Sequence, residues 1–205
     1  MQKPADTQYA IHDLLKNRWS PRAFSSRPIE PEKLISLFEA ARWSPSAGNS
    51  QPWSFVVATH KNLTVHEKLV ATMTGNNPRW AQRVPVLILA LARTNPEKPE
   101  ANPFAYYDLG QAVAHLTIQA AALGLDVHQM GGFDRMRARE LFEIPDGYDL
   151  MTVIAVGYPG DPANLPDDLR DRELLPRTRK PVSEIAFQER WNQPISDETA
   201  AAAGD

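Results

Sequence analysis

Residues 83–93 read Arg83-Val84-Pro85-Val86-Leu87-Ile88-Leu89-Ala90-Leu91-Ala92-Arg93, an unbroken apolar run bounded by two arginines. A run this short and this uniformly apolar suits a strand covered on both faces, over Val84 to Ala92. Such a strand belongs in the middle of a layered protein. Three further segments supply its neighbours: Trp53 to Thr59, rich in aromatic and β-branched residues, Asp126 to Met130, and Leu150 to Tyr158. Amphipathic spacing predicts helices over residues 7–17, over Glu30 to Trp43 with Pro31 in its first turn, and over Asp134 to Phe142. The longest helix is predicted from the Asn102-Pro103 cap to Gly124, with Leu109, Val113, Leu116 and Ala120 on its inner stripe. Strands and helices alternate, which indicates a layered α/β or α+β sheet protein.

The 205 residues carry 22 Lys+Arg against 25 Asp+Glu, a formal charge of −3, so the electrostatic footprint of a nucleic-acid-binding protein is missing. With no cysteine, disulfides, a thiolate nucleophile and cysteine-ligated metals are excluded, and redox chemistry must come from a bound organic cofactor or a metal without Cys ligands. The five histidines show no i,i+4 pair, so no metal site is expected. Neither a signal-like N-terminus nor an apolar run of membrane-spanning length is present, and a cytoplasmic, membrane-free protein is expected. Residues 1–190 are expected to form one domain. Its Pro-rich stretch from 159 is read as an extended arm lying on a partner subunit, and residues 191–205 as a partly disordered tail.

Three local features carry chemistry. In Arg18-Trp19-Ser20-Pro21-Arg22-Ala23-Phe24, an extended backbone puts Arg18, Ser20 and Arg22 on one side, which suits a phosphate monoester and equally a solvated basic strand. Arg177 and Arg179 repeat that i,i+2 geometry. The loop Ser44-Pro45-Ser46-Ala47-Gly48-Asn49-Ser50-Gln51-Pro52 offers Ser46 and Asn49 to a flat ligand, or is a plain polar turn. Met130-Gly131-Gly132-Phe133 lets a backbone N–H approach a ring without a Cβ in the way, or simply turns into the helix after Asp134.

Taken in order, Arg-x-Ser-x-Arg-x-Phe, Ser-Pro-Ser-Ala-x-Asn-x-Gln-Pro-Trp-x-Phe, Ala121-Ala122-Leu123-Gly124-Leu125, Gly131-Gly132-Phe133-Asp134, Ala155-Val156-Gly157-Tyr158-Pro159 and Arg177-Thr178-Arg179-Lys180-Pro181 form a recognisable series. The chain resembles the nitroreductase family of FMN-dependent, NAD(P)H-using oxidoreductases. That resemblance implies an α+β three-layer sandwich, with a mainly antiparallel central sheet flanked by helices and FMN held at a homodimer interface. It implies that Arg18, Trp19, Ser20 and Arg22 hold the FMN phosphate with Arg177 and Arg179. Pro45, Ser46, Ala47 and Asn49 would line the flavin from the second subunit. Met130, Gly131 and Gly132 would follow the ring edge, with the Gly131 N–H at flavin N5 and Asn76 adding a polar contact. No side chain is expected to be catalytic. Hydride would pass from NADH or NADPH through the flavin to a nitroaromatic, quinone or similar small electrophile in ping-pong order.

Where some family members carry a larger acidic residue, this chain has Gly131, which leaves more space near N5. Few residues lie between Thr59 and Val84, or between Arg93 and Phe104, where members insert pocket-shaping helices. The alternatives are a specialised member, such as an enal or semialdehyde reductase, a dehalogenase or a flavin-fragmenting enzyme, and a flavin-binding protein without turnover.

Overall fold

The computed structural model describes residues 2–94 and 102–195, which divide into two compact units, one ending at Leu175 and the other starting at Pro176. In chain order the first unit contains α1 (Asp13–Asn17), α2 (Pro31–Arg42), β1 (Trp53–Thr59), α3 (Leu63–Val70), α4 (Pro78–Ala81), β2 (Val86–Arg93), α5 (Ala105–Ala122), β3 (Asp126–Met130), α6 (Arg135–Leu141), β4 (Tyr148–Gly157) and α7 (Asp167–Leu174). The strands form one fully antiparallel sheet in the order β1-β2-β4-β3.

As the apolar run requires, β2 is central and buried along its length up to Ala92. Leu87, Leu89 and Leu91 enter one core layer with Leu69, Trp80 and Leu169, while Val86, Ile88 and Ala90 enter the other with Leu37, Ala41 and Leu116. Helices therefore cover both faces, giving the α+β three-layer sandwich. In β4 the register slips between Ala90 and Leu91, which face Thr152 and Leu150 and leave Met151 as the extra residue of a bulge. The Thr152 hydroxyl, just past that bulge, donates to the Met130 carbonyl at 3.0 Å and fixes the end of β3.

Four expectations need correction. Residues 7–12 are not helical, and α1 starts only at Asp13, its Leu14 N–H donating to His12 Nδ1 at 3.2 Å. The central strand starts at Val86 instead of Val84, after Pro85. The long helix starts at Ala105: Asn102 does not cap it but closes a turn on the Phe104 N–H and donates to Ser50 Oγ at 3.0 Å. The segment from 159 is not an extended arm throughout, because Leu165 and Leu169, four residues apart, bury themselves in the core and draw 162–164 and 167–174 into helical turns.

In the second unit a 3₁₀ turn spans Val182–Glu184, Phe187 pairs with Pro194, and the Phe187 and Trp191 rings lie 4.8 Å apart. The tail beyond residue 195 lies outside the described residues. Among those described, no helix is long and apolar enough to cross a membrane.

Candidate functional site

The segment 18–24 is pinned across the end of β4. Phe24 bridges Pro159, the Gly160 N–H donates to the Ala23 carbonyl at 2.9 Å, and the Ser25 N–H donates to the Tyr158 carbonyl at 2.9 Å. A Cβ on Gly160 would overlap the Phe24 backbone, so only glycine allows this approach. Along the segment, exposed Ser20 and half-buried Arg22 alternate with buried Pro21 and Ala23, as an extended strand demands. Arg18 and Trp19 line a cavity of about 250 Å³ together with Asn17, Thr117, Gly124 and Asp126.

Two groups hold this strand from behind, half-buried His128 and buried Glu173. His128 Nδ1 donates to the Pro21 carbonyl at 2.7 Å, since a carbonyl can only accept. Burial, reinforced by the Arg22 charge, pushes the His128 pKa down to about 4 against the opposing pull of that carbonyl, so the ring is neutral at pH 7. Glu173, at the end of α7, accepts the N–H groups of both Arg22 and Ala23 through Oε1, at 2.7 and 3.0 Å. Nearby Asp126 is pushed up to about 6, chiefly by burial, with the charge of Glu173 adding to it. Lys3 Nζ donates to the Glu173 carbonyl at 2.6 Å and stands 4.7 Å over the Trp19 ring.

The loop 44–52 takes a left-handed backbone at Gly48, Asn49 and Gln51 (φ 58°, 55° and 46°). Side chains in that region cost energy unless their surroundings impose it. Here the restraints are explicit. Ser46 Oγ accepts the Gln51 N–H at 3.1 Å, the buried Asp108 carboxylate accepts the Ala47 N–H at 3.1 Å, and Arg93 donates to the Ser50 carbonyl at 2.9 Å. Pro45, Ala47 and Asn49 face outward, and Ser46 is half-buried.

After Met130 the chain turns through Gly131 and Gly132. The Gly132 carbonyl accepts the Thr74 N–H at 3.0 Å and Asn77 Nδ2 at 3.2 Å, and a Cβ there would press on both residues. A Cβ on Gly131 would meet nothing within 4 Å, so open space lies beside it. Asn76, the expected polar contact, is exposed, and its Oδ1 accepts from Arg79 at 3.1 Å, while Arg79 clasps Asp168 through two 2.7 Å bonds. The carboxamide that touches the glycine turn is that of Asn77.

The sheet register keeps these features apart within one protomer. Trp53, where the 44–52 loop ends, pairs with Ala92, whereas Thr59 pairs with Val86, Val86 with Val156, and Gly157 with Asp126 beside the 18–24 segment. Seven residues of β1 thus separate the two sheet ends, roughly 20 Å at 3.3 Å per residue. Arg177 and Arg179 belong to the second unit, where Arg177 is half-buried and Arg179 Nη1 donates to the Thr178 carbonyl at 2.7 Å.

Sequence comparison agrees with this architecture: residues 15–158 match the Nitroreductase family, and the chain belongs to that family. More particularly, it is similar to a crystal structure described as an oxidoreductase containing FMN, at 36% identity and a TM-score of 0.85, over 92% of this chain and 96% of that one. A protein of Archaeoglobus fulgidus named as a putative NADH dehydrogenase/NAD(P)H nitroreductase is 29% identical over 154 residues, covering 72% of this chain and 84% of the relative. An uncharacterized 15.4 kDa protein of Mycolicibacterium smegmatis is 36% identical over 121 residues, 59% of this chain and 80% of that protein.

Proposed function

We propose that the chain is the protomer of a homodimeric, FMN-dependent NAD(P)H oxidoreductase acting on nitroaromatics, quinones or similar small electrophiles. The observation that carries this reading is the separation of the site's parts. A cradle suited to a dianion and a loop suited to a flat ring lie at opposite ends of one sheet, an arrangement that supports a ligand held between two copies. Exposed Ile11, Leu15, Ile35, Trp43 and Tyr107, all belonging to or adjoining the α1, α2 and α5 layer, supply apolar surface for that pairing.

The residues present fit FMN. Arg18, Ser20 and Arg22 lie on one extended stretch and would hold the phosphate, with the Trp19 backbone beside them and Arg177 and Arg179 adding charge. Pro45, Ser46, Ala47 and Asn49 of the partner subunit would line the ring. The open space beside Gly131 admits a ring edge to the backbone, where Met130, Gly131 and Gly132 lie, and the Gly131 N–H would donate to flavin N5. The chemistry supplied by bound FMN is hydride transfer from NADH or NADPH to an acceptor in alternating half-reactions. The protein's own groups bind, orient and neutralise. His128 is neutral and faces the Pro21 carbonyl, so it serves the cradle and moves no proton to substrate.

The test is turnover by purified, FMN-loaded protein with NADH and with NADPH against a nitroarene, a quinone and an enone. Reduction of at least one acceptor is expected; transfer of electrons to none would overturn the assignment.

A further inference from the structure

We propose that Glu173 is a positioning residue of the phosphate cradle that also restrains its affinity for a dianion; this rests on the flavin reading above. Glu173 is 1% exposed, and its two oxygens have different surroundings. Oε1 accepts the consecutive N–H groups of Arg22 and Ala23, which turns the strand's backbone donors inward and leaves Ser20 and the Arg22 side chain facing out. Oε2 has no hydrogen-bond partner and stands 3.7 Å from Arg22 Nη1, whose side chain keeps 28% exposure. A buried carboxylate oxygen without a partner is costly unless a nearby charge compensates it. Arg22 is that charge.

The guanidinium therefore has the Glu173 carboxylate behind it and, on this reading, meets the phosphate in front. Glu173 holds the cradle in shape through one oxygen and competes for Arg22 through the other. Replacing it by Gln preserves an acceptor for the two N–H groups and removes the competing charge, whereas replacing it by Ala removes both.

The experiment measures dissociation constants of FMN and of riboflavin, which lacks the phosphate, on full-length wild-type protein and on Glu173→Gln, Glu173→Ala and Arg22→Ala. In Glu173→Gln, FMN should tighten about threefold to tenfold while riboflavin is unchanged, because only the phosphate feels the charge. In Glu173→Ala, FMN should weaken. A merely structural glutamate would move both ligands together. Equal FMN-to-riboflavin ratios in wild type and Glu173→Gln, with that ratio reduced in Arg22→Ala, would overturn the proposal while leaving the flavin site standing. Wild-type protein that holds neither ligand would overturn the flavin reading and this proposal with it.

Discussion

Acid should act in opposite directions on two half-buried groups behind the cradle. His128 is held at a pKa of about 4, against an ordinary 6.5, by burial first and by the Arg22 charge. Its ring is neutral in the folded protein and protonates on unfolding, so its contribution is intact above pH 6.5 and is lost as pH falls toward 4. From pH 6.5 to 4.5 the loss is about 2.5 kcal/mol, at about 1.36 kcal/mol per unit. Asp126, raised by burial from 3.8 to about 6, keeps its proton in the folded protein when the unfolded chain has released it. Its contribution is present below pH 3.8 and disappears as pH rises through 6, so the same acidification returns about 2 kcal/mol between pH 6 and 4.5. The two nearly cancel in the wild type. His128→Asn keeps a donor for the Pro21 carbonyl and cannot titrate. Relative to wild type, its unfolding free energy should rise by about 2.5 kcal/mol between pH 6.5 and 4.5, and that of Asp126→Asn should fall by about 2 kcal/mol. Urea unfolding of flavin-free protein at the two pH values measures both, and groups shared by all variants drop out of the differences. Curves for His128→Asn that run parallel to wild type across this range would refute the reasoning.

Arg22→Ala and Arg179→Ala should each weaken FMN retention by about 1.5–3 kcal/mol, the worth of a charge-assisted contact, as measured by fluorescence titration. Unchanged affinity in both would remove the phosphate assignment. Gly160→Ala forces a methyl into the Phe24 backbone and should cost about 1–3 kcal/mol or more, seen as a lower unfolding midpoint. Asp108→Ala leaves the Ala47 N–H without its acceptor and should loosen the 44–52 loop, costing about 1–3 kcal/mol; faster FMN release with the bulk fold intact by circular dichroism would register it.

The segments proposed to touch the ligand were readable from sequence because each is a continuous stretch: 18–24, 44–52 and 130–133. Their supports were not readable, since they come from far along the chain. Glu173 lies 151 positions from Arg22, His128 lies 107 from Pro21, and Asp108 lies 61 from Ala47. No periodicity marks such pairs. The helix carrying Glu173, Asp-Asp-Leu-Arg-Asp-Arg-Glu-Leu, is almost wholly charged and sits among prolines, so only Leu169 and the preceding Leu165 hinted that it would pack. The central strand was evident from its apolar run, yet its burial depends on β1 and β4 beside it and on the helices over its two faces, all recruited from other segments. At 76–77, Asn76 accepts from Arg79 while Asn77 donates to the Gly132 carbonyl, a division of labour that adjacent identical residues do not announce.

The central claim is that this family member holds FMN and passes electrons through it, and the most direct test is a visible absorption spectrum of the purified protein before and after anaerobic NADH or NADPH, with the released cofactor identified and counted per protomer. The account predicts a yellow protein that bleaches on reduction and releases one FMN per protomer, two per homodimer. A colourless protein that cannot be reconstituted with FMN, or a bound flavin that neither nicotinamide bleaches, would contradict it.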